Sequence, residues 1–118
     1  MSGYLLKSEI GDAKKILVKP GTAKTGGVAA LIGGTYGFYL KTLAANEEGM
    51  FVTRAALVEA DVDSAATYDE GDIVYDHATV PTGVLNKTSA SRRAVGYSYK
   101  TNAAGSSRIL IVLHGGNG

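Results

Sequence analysis

The chain has 118 residues, the size of one domain with a modest hydrophobic core, and its formal net charge is only +1. So small a net charge excludes a global basic field that would hold nucleic acid. The absence of cysteine excludes disulfides, thiolate metal ligands and a cysteine nucleophile. Charged residues contribute 19% and hydrophobic residues 45%, a balance that suits a protein with much of its surface covered by partners.

The first half of the chain predicts short strands separated by turns. Residues 1–12 are weakly patterned, and we interpret them as an extended arm or a short first strand. The Pro20-Gly21 pair and the Gly33-Gly34 pair are turn signals that end apolar runs. The strands predicted here are 14–19, 28–32, 36–42 and 49–57. In the third of these, the alternation predicts that Tyr36, Phe38 and Leu40 face the core and that Tyr39 lies on the other side.

The second half continues the same pattern. Residues 58–63 are expected to leave the long strand, and 64–71 to form a turn. Residues 102–106 (NAAGS) predict a hairpin loop. The strands predicted here are 72–76, 84–88, 94–99 and 108–113. Alternation places Val95, Tyr97 and Tyr99 on one face of their strand.

Evenly spaced strands with almost no helix signal predict an all-β fold, a small barrel or sandwich of short antiparallel strands. We divide the chain into an N-terminal arm with the first strand (1–27) and a β-barrel domain (28–118), which together form one domain. The last strand is apolar on both faces, so it should be central or covered on its second face. Either a second layer of the same domain or a subunit interface would cover this second face, and the sequence leaves both alternatives open.

The sequence shows no convincing catalytic set. The serines lie in loops without a nucleophile elbow, and Lys24-Thr25 lacks the preceding glycine and the following helix of a phosphate loop. One cluster could in principle bind a hard cation: Asp69, Glu70, Asp72, Asp76 and His77. A metal-dependent hydrolase would need four of these, Asp69, Asp72, Asp76 and His77, to converge. Ordinary turn chemistry explains these residues better, so we predict no enzyme, no metal and no cofactor.

A nucleic-acid-binding barrel is a second alternative. Tyr97 and Tyr99, together with Lys100, Arg92 and Arg93, could form a stacking and basic patch for a single strand. The seven tyrosines are scattered along the chain, however, and suit core and interface positions better. The N-terminus lacks the features of a signal peptide, and the longest apolar run, 109–113, is too short for a membrane span. We therefore predict neither a nucleic-acid nor a membrane partner.

Several short motifs occur in a distinctive order along residues 26–115. They are ALIGGTYGF, an acidic loop leading into EGMFVTRAALVEAD, the EGDIVYD element, and a VGYSYK element followed by the apolar run 109–113. The residues that match two of these elements are Gly71, Asp72, Val74, Tyr75 and Asp76, and then Val95, Gly96 and Tyr97. In this order and spacing the chain resembles the small capsid cement, or decoration, proteins of tailed phages.

The resemblance implies a β-barrel or β-tulip-like domain on the outer surface of the expanded capsid. Its partner would be a major capsid protein of the HK97-like fold, whose subunits it would bridge to stabilise the head. The resemblance also implies a homotrimer, or alternatively a dimer, on the virion after assembly in the host cytoplasm. Residues 1–12 exceed the family pattern, so the resemblance assigns them no role.

Two sets of contact residues follow as hypotheses. The mild basic bias of the N-terminal third suits either a solvated segment or an arm laid on an acidic partner. The candidate capsid-binding arm consists of Tyr4, Leu5, Leu6, Lys14 and Lys15. The candidate self-association residues, chosen from the sides of strands that face the core less clearly, are Tyr39, Met50, Arg54 and Tyr99.

Overall fold

A computed structural model describes residues 4–7, 13–77, 81–89 and 92–114, which form nine β-strands and no helix. The prediction of an all-β fold is confirmed. No helix long and apolar enough to cross a membrane occurs among the described residues. The strands are β1 (Leu5–Leu6), β2 (Lys14–Val18), β3 (Ala29–Ile32), β4 (Thr35–Tyr39), β5 (Gly49–Val62), β6 (Ile73–His77), β7 (Val84–Leu85), β8 (Arg92–Ser98) and β9 (Arg108–Leu113).

The 14-residue strand β5 organises the fold. Its first half pairs with β2 and β4, and its second half pairs with β1, β7 and β9. The register with β9 shifts between Ala55 and Val58, where β5 passes from one set of partners to the other. A bulge bends a strand without ending it. The prediction that this strand ends at residue 57 was therefore wrong.

The strand order β3-β4-β5-β9-β8-β6 is open, so the sheet is not a barrel closed by continuous pairing. β7 pairs with β5 in parallel, whereas the other pairings between the described strands are antiparallel. An isolated bridge between Tyr75 and Asn86 links β6 to the residue after β7. The architecture is an all-β, sandwich-like sheet in which one bent strand serves two layers.

The main core lies between the two parts of this sheet. It includes Tyr36 and Phe38 from β4, Val58 from β5 and Ile111 from β9, all at most 1% exposed. A second, smaller cluster forms on the opposite side of β4, where Tyr39 packs edge-on against Phe51. Both faces of β4 are therefore buried. Tyr39 lies on the side of β4 opposite Tyr36 and Phe38, as alternation predicted, but a second apolar cluster covers that side, so the choice of Tyr39 as an exposed contact residue was wrong.

Strands β8 and β9 show how local irregularity changes exposure. β9 lies between β5 and β8, as predicted for a central strand. In β8 the register shifts so that Gly96 opposes Val74 and Ala94 opposes Tyr75, which leaves Val95 as the extra residue. Val95 is buried and Tyr97 is exposed, so the prediction that these two side chains share a face was wrong. The bulge re-aims every side chain that follows it.

Gly96 marks a close approach of β8 to β9. A Cβ at this position would lie 2.1 Å from the backbone carbonyl oxygen of Val112, closer than any real side-chain carbon comes to a neighbouring carbonyl oxygen. The Gly33-Gly34 turn between β3 and β4 has positive φ at both glycines, 58° and 82°, as a tight hairpin turn requires. The turn signals in the sequence therefore correspond to backbone conformations that glycine adopts readily.

Candidate interaction surfaces

The acidic residues considered for a metal site do not converge. Among the described residues, no group of three or more His, Asp or Glu side chains is placed to hold a metal ion. Asp72 accepts hydrogen bonds from the Asp69 amide and from Lys87 Nζ, at 2.8 and 3.1 Å. Both contacts lower the pKa of the Asp72 carboxyl, and the hydrogen bond from the Asp69 amide has the larger effect. Asp76, by contrast, is fully buried.

Asp76 is a fully buried carboxylate held by hydrogen bonds. Its Oδ1 accepts from the His77 amide at 2.6 Å and from the amide and hydroxyl of Thr82 at 2.9 and 2.8 Å. Its Oδ2 accepts from the Tyr36 hydroxyl at 2.7 Å and from the Gly83 amide at 3.1 Å. A buried carboxylate is tolerated when its oxygens are satisfied in this way. The arrangement joins β6 to β4 and to the turn before β7.

Tyr4 extends this network to the N-terminal segment. Its hydroxyl lies 2.6 Å from that of Tyr36, and its ring stacks on Phe38 at 5.0 Å between centroids. Because Tyr36 donates to Asp76, Tyr4 must donate to Tyr36. Burial is the main reason that the pKa of Tyr4 lies far above its usual value, and the pKa of Tyr36 is raised for the same reason. Tyr4 is therefore a core residue, and its side chain is not available to a partner as proposed for the arm.

The other four arm candidates lie in two strands that both pair with β5. Leu5 and Leu6 form β1, in which Leu5 is exposed and Leu6 is half-buried. Lys14 and Lys15 begin β2, and Lys15 Nζ donates to the Ala13 carbonyl oxygen at 3.2 Å. The described part of the arm is thus a sheet edge and not a free tail. The rest of segment 1–12, residues 1–3 and 8–12, lies outside the described residues.

The four self-association candidates are dispersed. Tyr39 is buried, and desolvation raises the pKa of its hydroxyl. Met50 is exposed on β5 directly opposite Leu17 of β2, and Arg54 is exposed further along β5. Tyr99 is exposed just after β8. No shared patch of these four residues is evident from their strand positions.

The clearest exposed apolar surface crosses the outer face of β6, β8 and β9. Ile73 lies directly opposite Tyr97, and Tyr97 directly opposite Val112, so their side chains share one face of the sheet. The amide of Tyr99 donates to the carbonyl oxygen of Leu110 at 2.9 Å, which continues the same row. Ile73, Tyr97 and Tyr99 are 48%, 42% and 52% exposed. The outer-face stripe is our name for these five residues: Ile73, Tyr97, Tyr99, Leu110 and Val112.

Charged residues border one end of the stripe. A groove of about 540 Å³ begins at Leu110 and is lined by Lys7, Lys100, Glu59 and Arg108 among others. Arg108 bridges Glu59, at 2.8 Å, and Asp61. An apolar centre with a charged rim is the anatomy of a protein-binding patch.

The basic residues proposed for nucleic-acid binding do not all gather near the exposed tyrosines. Arg92 and Arg93 lie at the start of β8, where they pair in register with His77 and Asp76. Tyr97 lies five residues beyond Arg92 and four beyond Arg93, roughly 13–16 Å away at strand rise. Arg93 also donates to the Gly34 carbonyl oxygen at 2.5 Å. Only Lys100 follows the tyrosines directly.

Sequence reasoning found two members of the stripe, Tyr97 and Tyr99, but did not assemble it. The sequence offered one signal for this surface: the apolar residues Leu110 and Val112 on the second face of the last strand. Ile73 could be added only once the register between β6 and β8 was known. No family model, no curated protein and no solved structure matches the chain.

Proposed function

We propose that this protein is a non-catalytic adhesive module, a capsid decoration protein that uses the outer-face stripe to bind the outer surface of a tailed-phage head. The observation that carries the proposal is the stripe itself, because a solvated sheet face normally alternates to polar residues. Contiguous exposed apolar residues on a small domain mark interaction sites. The motif order that resembles decoration proteins supplies the class of partner.

The size of the stripe favours binding in many copies. Burying a whole large apolar side chain contributes roughly 1.5–3 kcal/mol. Ile73, Tyr97 and Tyr99 are already about half-buried, so covering them would contribute roughly 3 kcal/mol. Association alone costs at least about 4 kcal/mol. A single contact of this kind is weak, whereas many copies that each bridge neighbouring shell subunits gain avidity.

Stabilisation of a shell then follows from linkage. A subunit that binds the expanded, closed shell better than an opened one shifts the equilibrium toward the closed state by its differential binding free energy. No bond is made or broken in this mechanism. The protein acts by occupying a surface that only the assembled state presents.

The test is sedimentation of the purified protein with expanded, DNA-filled heads and with unexpanded heads of a tailed phage. We expect selective co-sedimentation with expanded heads and a loss of bound copies for Ile73→Thr combined with Tyr97→Thr. Val28→Thr is a matched control, because Val28 is 46% exposed and lies outside the stripe. Equal occupancy of all variants would refute the role of the stripe, and no binding to either kind of head would refute the proposal.

The exposed pair Tyr97 and Tyr99, followed by Lys100, supports one alternative, binding of single-stranded nucleic acid by stacking. Such binding would weaken steeply with salt, because counterions are released from the phosphates. A fluorescent oligothymidine titrated at two salt concentrations separates the two functions. Salt-dependent binding that Tyr97→Thr abolishes would favour the alternative.

A further inference from the structure

Strand β2 is an edge strand with one strand partner. Its register with β5 runs from Lys14 opposite Arg54 to Val18 opposite Gly49. β4 pairs with β5 at the same residues, Phe51 and Val52, so β2 and β4 flank β5 on opposite sides. No strand in the described part of the chain pairs with the second edge of β2. Its outward backbone groups form an open template for another strand.

The direction of the backbone at Leu17 can be worked out from the register. The Met50 carbonyl oxygen accepts from the Leu40 amide at 3.0 Å, so Met50 directs its backbone groups toward β4 and away from β2. In an antiparallel ladder, a residue opposite such a position also points its N–H and C=O away from the shared ladder. Leu17 lies opposite Met50. Its N–H and C=O therefore face the open edge.

The side chains of β2 are apolar where an exposed edge would normally be polar. Leu17 is 61% exposed, the highest value among the large hydrophobic residues that are exposed, and Ile16 on the other face is 36% exposed. At the end of β2 a shallow groove of about 430 Å³ opens, lined by Val18, Pro20 and Ile32 together with Lys19 and Lys24. A strand added beside β2 would contact apolar side chains on both of its faces. The groove at the end of β2 would accept one of its side chains.

The charges on this edge are all positive. Lys14 and Lys19 bracket the apolar residues of β2, and neither forms an ion pair within the described part of the chain. Symmetric pairing with a second copy about Leu17 would place Lys15 opposite Lys19 of that copy, and like charges directly opposite each other destabilise a sheet. A segment with carboxylates at its ends would meet the lysines favourably instead.

We infer that β2 binds an extended segment of a partner protein, apolar in its centre and acidic at both ends, which adds to the sheet as a strand beside Leu17. The main-chain hydrogen bonds supply affinity, and the flanking lysines select for charge. This site is separate from the outer-face stripe and does not depend on the nature of the shell.

The probe for this site is a synthetic peptide, acetyl-EVTVTVE-amide, with acetyl-KVTVTVK-amide as its charge-reversed control. Both are titrated into the ¹⁵N-labelled full chain at low salt. We expect the acidic peptide to shift the Leu17 amide resonance and to slow its hydrogen exchange at least about fivefold, since the N–H becomes part of a ladder. The basic peptide should do neither.

Two pairs of variants test the mechanism. Leu17→Pro removes the outward N–H and should abolish binding, whereas Leu17→Thr retains the N–H and should retain binding. Because proline could disturb the strand, Lys14→Glu combined with Lys19→Glu provides an independent test: the preference should reverse to the basic peptide. The inference would be overturned if neither peptide slows hydrogen exchange of the Leu17 amide, or if both peptides slow it equally. Concentration-dependent protection without peptide would also overturn it, in favour of pairing between two copies.

Discussion

The buried chain from Tyr4 through Tyr36 to Asp76 predicts a graded series of stability losses. Tyr4→Phe removes a hydroxyl that, among the described residues, donates to Tyr36, and the Tyr36 oxygen keeps its own bond to Asp76. We expect a loss of about 0.5–1 kcal/mol, that of one ordinary hydrogen bond. Tyr36→Phe removes the acceptor of Tyr4 and a donor to Asp76 together. The Tyr4 hydroxyl is then buried without a partner, and we expect about 2–3 kcal/mol.

Asp76→Asn should be the most costly of the three. Its amide group must replace one carboxylate oxygen, and both oxygens accept from backbone N–H groups that cannot reverse direction. If the amide replaces Oδ2, it faces the N–H of Gly83, and the Tyr36 hydroxyl must turn back toward Tyr4. If it replaces Oδ1, it faces the amides of His77 and Thr82. At least one buried donor is left facing another donor, and we expect a loss above about 3 kcal/mol.

Urea unfolding measures the series. The chain has no tryptophan, so far-UV circular dichroism and tyrosine fluorescence are the probes. A double-mutant cycle between positions 4 and 36 should show a coupling of about 1 kcal/mol, because Tyr4 loses its acceptor when Tyr36 becomes Phe. A Tyr4→Phe loss equal to that of Tyr36→Phe, or a neutral Asp76→Asn, would refute donation from Tyr4 to Tyr36 and from Tyr36 to Asp76.

The same tyrosines predict alkaline instability. Their pKa values are raised in the folded protein, so the stability that they contribute is complete below the unfolded tyrosine pKa of about 10 and falls as pH rises beyond it. Tyr4 and Tyr36 together should lower the free energy of unfolding by up to about 2.7 kcal/mol per pH unit above that pH, and Tyr36→Phe should remove about half of this contribution. Gly96→Ala should cost about 3 kcal/mol in urea unfolding because its Cβ meets a carbonyl oxygen of β9, whereas Gly21→Ala, which meets nothing within 4 Å, should change stability by less than about 0.5 kcal/mol. Lys87→Ala should cost no more than about 0.5 kcal/mol, since its ion pair with Asp72, just before β6, is partly exposed to solvent; a thermal shift larger than a few degrees would contradict this.

Local signals in the sequence predicted most strands because turn chemistry and alternation are local properties. Pro20-Gly21 and Gly33-Gly34 end strands where expected. Two features needed long-range information. The length of β5 depends on partners from both ends of the chain, since β1 and β9 pair with its second half. The bulge at Val95 depends on the register of β8 with β6. A single-residue shift in register moves side chains to the other face, which local alternation cannot detect.

The candidate sites were predictable to a smaller extent. Tyr4 lies in a segment interpreted as an arm or short first strand, and Tyr39 lies on the side of its strand that was not assigned to the core. Each nevertheless fills a buried cluster. Asp76 follows the buried Val74 by two residues, so alternation already places it on an interior face, where a lone carboxylate would be costly. Two of its donors, Thr82 and Gly83, come from a turn beyond the strand. Only the folded backbone brings them to the carboxylate.

The positions of the two proposed surfaces have a consequence for bridging. The outer-face stripe lies on β6, β8 and β9, which extend from the second half of β5, whereas β2 pairs with the first half. A module that holds neighbours together needs two contacts that can be occupied at once, and one long bent strand supplies a rigid connection between them. Each contact should therefore be weak by itself and effective when both partners are held at a fixed separation, as the effective-concentration argument requires.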